Sequence, residues 1–172
     1  GRPINMQVVA GFGMGSAWGL EQLQRVISAA PDLVLIEFAI NDADARDGVW
    51  LAKSRAQHLA MLDTLQDALP EARILLMTMN PVAGWKQRLL RGRLDQYYAA
   101  YGTLADEAGT GLADLTPRWR AAPDALRLPP DGVHPTAMAT ERVIVPSLTA
   151  MIVDAVPGAK TSPACAVPSP GG

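Results

Sequence analysis

Asp131-Gly132-Val133-His134-Pro135 sets a carboxylate three residues before one of the two histidines of the chain, with Gly and Pro holding the turn. An aspartate that close can accept the Nδ1 proton of the imidazole, which fixes the tautomer and leaves Nε2 free as a general base. Acyl transfer also needs a nucleophile and donors aimed at the oxyanion of the tetrahedral intermediate. The backbone N–H of a loop glycine such as Gly13 can approach an oxyanion because no Cβ intervenes, and the Asn41 amide is a neutral donor at a strand end. Turn chemistry alone also accounts for Asp-Gly followed by His-Pro ahead of a helix. The elements that would position these residues have to decide between the two.

Residues 5–10 read as a short buried strand that ends in the glycine-rich turn 11–16, after which Leu20, Leu23, Val26 and Ile27 recur at helical spacing. The run from Asp32 to Phe38 is almost continuously apolar, as in a strand covered on both faces of a parallel sheet, and it delivers Ala39-Ile40-Asn41-Asp42 at its C-terminal end. Helical spacing resumes through Trp50, Leu51, Leu59, Leu62 and Leu65 up to Leu69-Pro70, followed by a third strand over 72–78. A loop over 80–85 leads to one long helix over 87–108, then a short strand over 111–115 and an irregular approach to Asp131. The last helix is expected over 136–156 with a kink or restart at Val145-Pro146, and residues 157–172 read as a disordered Pro-, Gly-, Ser- and Ala-rich tail. Alternating strands and helices imply an α/β fold with a mostly parallel sheet in a single domain over 1–156. In such sheets ligands bind at the C-terminal ends of the strands. The glycine loop, Asn41 and the Asp131–His134 turn can all reach that edge.

Composition narrows the function classes. With 172 residues, of which 49% are hydrophobic and 19% charged, the chain is the size of one globular domain. A net charge of −2 gives no electrostatic case for nucleic acid or an anionic membrane, which need concentrated Lys and Arg. No apolar run approaches the length of a membrane span. The single cysteine, Cys165, excludes an internal disulfide and a cysteine-based zinc site. A neutral or small substrate fits this composition, while oligomeric state and cellular location are not encoded in it.

Taken in order, the loop glycine, Ala39-Ile40-Asn41-Asp42 and Asp131-Gly132-Val133-His134 resemble the motifs of the SGNH (GDSL-type) serine hydrolases over residues 11–152. The resemblance implies a three-layer α/β/α sandwich of flavodoxin-like type and hydrolysis of carboxylic esters without cofactor or metal. It puts Asp131 and His134 at the final catalytic pair, Asn41 at the motif asparagine and Gly13 at or near the oxyanion glycine, with Gly11 and Gly15 close by. Ala39 stands where the family carries glycine. The family's Gly-Asp-Ser motif, which bears the nucleophile and follows the first strand, is absent from this sequence. The chain is therefore expected to begin after that strand, which lies within the sheet, and so to be inactive and prone to unfold or aggregate as it stands. Ser16 lacks the paired glycines of a nucleophile elbow and reads instead as the cap of the following helix.

Rival readings remain at this level. A non-catalytic carbohydrate-binding or scaffold domain derived from a hydrolase is one. A dinucleotide site is another, in which Gly11-x-Gly13-x-x-Ser16 imitates the fingerprint and Glu37 would hold a ribose. Asp42, Asp44 and Asp47 read as a solvated loop with Asp47 as a helix cap, and His58 as a boundary or surface histidine. Lys86, Arg88, Arg91 and Arg93 read as a solvated basic face, with Trp85 near enough to the strand ends to meet an acyl or sugar substrate. Tyr97, Tyr98 and Tyr101 read as core and boundary packing.

Overall fold

The computed structural model of the protein describes residues 5–46 and 49–155. The expectations for Asp47 and for residues 156–172 lie outside the described residues. Three short strands, β1 (Leu33–Ile36), β2 (Arg73–Met77) and β3 (Gly111–Ala113), form a parallel sheet in the order β1-β2-β3. Leu33 is paired with Arg73 at one end of the register, and Met77 with Ala113 at the other.

Helices cover both faces of the sheet, and the pleat of β2 shows why. Ile74 and Leu76 point into the larger core, which also holds Val34, Ile36, Met61, Leu62, Leu65, Tyr101 and Leu104. Met77 points the other way, onto a smaller core built on Leu115, Trp119, Ala139, Val143 and Ile144. Two long helices form the first layer. In α4 (Leu51–Ala68), Ser54, His58, Met61, Leu62 and Leu65 recur on one buried stripe. In α6 (Leu94–Ala108), Leu94, Tyr97, Tyr98, Tyr101, Leu104 and Ala105 do the same, and Gly109 at φ 65° ends the helix in a left-handed cap. This is the expected α/β/α architecture.

Several elements depart from their sequence expectation. Residues 5–10 form no strand, and Met6 and Val8 are exposed. Among the described residues no strand runs alongside them to take their backbone groups, and the outer edge of β1 is likewise unpaired. Leu35, on the β1 face away from the large core, is 38% exposed, so β1 is not covered on both sides. The expected single helix over 87–108 is two, α5 (Gly84–Leu90) and α6, separated at Arg91-Gly92-Arg93. The break lets the Arg91 guanidinium turn inward, where its Nε donates to the Ile40 carbonyl at 2.8 Å and its Nη2 pairs with Asp44 at 2.9 Å.

The helix after the glycine loop is also divided, into α1 (Ser16–Glu21) and α2 (Leu23–Ser28). A short helix, α3 (Ala39–Asp42), follows β1 directly. Two further short helices, α7 (Thr116–Ala121) and α8 (Asp124–Arg127), fill the approach to Asp131, and α7 buries Trp119. At the C-terminus the restart expected at Val145-Pro146 is a π turn over Thr140–Ile144, between α9 (Ala137–Ala139) and α10 (Val145–Ala155). The Val145 N–H reaches back to the Thr140 carbonyl, a wider loop that leads the chain into Pro146, which has no N–H to give.

Candidate active site

The Asp131–His134 turn sits beyond the C-terminal end of the sheet. Asp131 Oδ1 accepts the N–H groups of Val133 and His134 at 2.9 and 2.8 Å, and Oδ2 lies 2.6 Å from His134 Nδ1. These bonds, the Val133 N–H foremost, hold the Asp131 carboxyl down to about 2. With Nδ1–H committed to the carboxylate, Nε2 is the nitrogen left to exchange a proton. Both side chains face solvent, at 64% exposure for His134 and 56% for Asp131.

The turn is backed by the segment that follows β2. The Ala83 N–H donates to the Gly132 carbonyl at 2.9 Å. The side-chain amide of the fully buried Asn80 donates to the Val133 carbonyl at 2.8 Å. Gly132 has φ +84°, and a Cβ there would stand 2.5 Å from the Ala83 carbonyl oxygen, so both conformation and space require glycine.

Asn41 projects from α3. One of its amide protons goes to the Met14 carbonyl at 2.8 Å, which orients the group. Gly13, at φ +67°, is exposed within the same loop. Next to it the Phe12 ring stacks on the His134 imidazole, with centroids 6.2 Å apart and planes inclined by 24°. Gly13 therefore lies between a residue touching His134 and a residue touching Asn41. The four residues singled out by sequence are gathered around one loop.

Below this surface lies a polar network that the sequence did not disclose. Asp42, read as solvated, is fully buried; it accepts the Ser16 N–H at 2.8 Å and the Ser54 hydroxyl at 2.6 Å. His58, read as a boundary or surface residue, is also fully buried. Its Nδ1–H donates to the Ser54 carbonyl at 2.8 Å, and its Nε2 accepts from the Tyr101 hydroxyl at 2.9 Å. The Tyr101 oxygen in turn accepts the N–H groups of Phe38 and Ala39, both at 3.0 Å, where β1 gives way to α3. Burial lowers the His58 pKa and keeps the ring neutral. The available signal was the alignment of Ser54 and His58 with Met61, Leu62 and Leu65 on one helical stripe, which required partners for both polar groups inside the core.

Neighbouring polar residues are also committed. Ser16 is the first residue of α1 and does not cap it; its buried hydroxyl donates to Gln57 Oε1 at 2.7 Å. Asp44, also read as solvated, is buried between Arg46 and Arg91; the hydrogen bond from Arg46 is the largest influence holding its carboxyl down to about 2. Glu37 accepts the Ile40 N–H at 3.1 Å, so one of its carboxylate oxygens is committed to the start of α3. Burial of the carboxyl raises it to about 7. Among the described residues no three His, Cys, Asp or Glu side chains come together to hold a metal. None of the described helices is long and apolar enough to cross a membrane.

Solved structures share this fold. Acetylxylan esterase from Geobacillus stearothermophilus superposes with a TM-score of 0.67 at 22% identity, over 81% of this chain and 68% of that one. A GDSL-like lipase from Bacteroides thetaiotaomicron gives a TM-score of 0.70 at 17% identity, over 84% and 73% of the respective chains. No curated protein matches the sequence. The model of the GDSL-like lipase/acylhydrolase family matches residues 3–142, which takes in the glycine loop, Asn41 and the Asp131–His134 turn, and the chain belongs to that family.

Proposed function

We propose that this chain carries the base and oxyanion sides of an ester-hydrolysing site whose nucleophilic serine comes from outside residues 1–172. The attacking hydroxyl gives its proton to His134 Nε2 as its oxygen bonds to the acyl carbon. Asp131 holds the imidazolium that forms, and the Gly13 N–H and the free Asn41 amide proton receive the oxyanion. When the tetrahedral intermediate collapses, His134 returns the proton to the leaving alcohol, and water repeats the cycle to release the acid. The observation that carries this reading is the glycine loop, in which Phe12 touches His134 and Met14 touches Asn41, with Gly13 between them.

Ser16 is not the nucleophile, because its buried hydroxyl is spent on Gln57. The substrate is a carboxylic ester of a lipid, a short-chain alcohol or an O-acetylated sugar. Hydrolysis of p-nitrophenyl acetate tests the reading. Residues 1–172 alone should be no faster than their His134→Ala variant, whereas a protein extended upstream of Gly1 to include the serine should lose its activity on that substitution. A His134-dependent rate from residues 1–172 would show that the nucleophile lies within them, and an extended protein indifferent to His134 would remove the base assignment.

A further inference from the structure

Helix α5 has two faces of opposite character. Its inner face holds the Asp131–His134 turn: Gln87 packs where a Cβ on Gly132 would be, and the Leu90 carbonyl accepts the Ala45 N–H at 3.0 Å. On its outer face Trp85 and Leu89, four residues apart, are 80% and 74% exposed. At about 100° per residue, Lys86 and Arg88 fall on either side of that apolar pair. Both are exposed, and neither takes part in an ion pair among the described residues. Arg93 adds a further exposed cation just beyond the helix, and no acidic residue occurs between Gly84 and Leu94. The net charge of −2 for the whole chain conceals this local excess.

We propose that the outer face of α5 is a docking surface for an anionic lipid interface. Tryptophan and leucine flanked by cations match such a surface twice over: the apolar pair enters the headgroup boundary, and Lys86 and Arg88 meet the phosphates. A protein partner fits less well, since two apolar side chains fall far short of the roughly 1,000 Å² that a stable protein interface buries. A sugar fits less well because Leu89 offers nothing to its hydroxyls. Docked in this way, the helix would hold the turn bearing His134 close to the lipid surface. The inference depends on the placement of these side chains and not on the acyl chemistry, so it stands or falls separately.

The test is cosedimentation of the full chain with vesicles of phosphatidylcholine alone and of phosphatidylcholine mixed with phosphatidylglycerol, at low and high salt. Binding should be confined to the mixed vesicles and weaken with salt. Each cation at an anionic surface is worth about fivefold, so Lys86→Gln with Arg88→Gln should lower partitioning about 25-fold. Trp85→Ala should lower it about tenfold by loss of buried apolar area. Circular dichroism melts that match the parent would confirm that the variants remain folded. Equal binding to both vesicle types, no binding to either, or variants that bind like the parent would each overturn the proposal. So would Trp85-dependent fluorescence quenching by a soluble xylo-oligosaccharide without vesicle binding.

Discussion

The carboxylate of Asp42 and the backbone amide of Ser16 lie 2.8 Å apart, which fastens the glycine loop to the turn that presents Asn41. Gly15 permits the approach, because a Cβ there would stand 2.4 Å from Asp42 Oδ1. Gly15→Ala is therefore expected to displace the carboxylate and destabilise the fold by about 1–3 kcal/mol. Thermal denaturation measures this directly; an unchanged melting temperature would mean that the loop yields without cost.

Tyr101 should matter through a single atom. Tyr101→Phe keeps the ring but leaves the amides of Phe38 and Ala39 and His58 Nε2 without their partner. A loss of about 2–4 kcal/mol in urea denaturation is expected, well beyond the removal of one solvated hydroxyl. A loss below 1 kcal/mol would show that water replaces the phenol.

For the proposed chemistry, Asn41→Ala in the serine-bearing protein should lower kcat by about 10²- to 10³-fold with little change in KM, because an oxyanion donor acts mainly in the transition state. An increase in KM with kcat intact would make Asn41 a substrate-binding group and remove it from the oxyanion site.

Glu37 gives a pH signature near neutrality, and Asp131 does not. The Glu37 carboxyl is raised by burial from 4.5 to about 7. Between those values the folded state binds the extra proton, so its contribution to stability is present below 4.5 and is lost as pH rises through 7. Glu37→Gln should therefore be more stable relative to the parent at pH 8 than at pH 5. His58, held neutral by burial, works in the other direction in the parent, so the comparison between variant and parent is the informative one. Asp131, held at about 2, stays ionised through the whole of this range and contributes no step to it. A parent-to-variant difference that is flat from pH 5 to 8 would contradict the Glu37 assignment.

Gly132→Ala should cost at least about 2 kcal/mol, from left-handed backbone strain together with the contact on the Ala83 carbonyl. It should also shift the imidazole proton resonances of His134. If those resonances stayed in place, the turn would not be held by the contact with Ala83.

Much of this could be read in the sequence, and the parts that could not share a cause. Apolar runs and helical stripes located the three strands and both long helices, because burial fixes the periodicity of each. Asp131–His134 was legible because its bonds are local, within three positions. Asp42, Ser54, His58 and Tyr101 were not, since the bonds that tie Ser54 to Asp42 and Tyr101 to His58 and Phe38 join residues 12 to 63 positions apart, and polar side chains inside a helix look solvated until a partner is in view. Residues 5–10 failed for the complementary reason. Their composition suits a strand, but strand formation depends on a neighbour that local sequence does not supply.

The Asn80 amide reaches the Val133 carbonyl across 53 positions, and the Ala83 N–H reaches Gly132 across a similar span. During synthesis on the ribosome those donors emerge long before their acceptors exist. The segment after β2 must wait for both acceptors, with the Asn80 amide holding only its local bond to the Pro81 carbonyl, and the pair of Asp131 and His134 is locked in place only when residues 131–134 arrive. A chain halted before Asp131 would hold all three described strands but not the turn that Asn80 and Ala83 back.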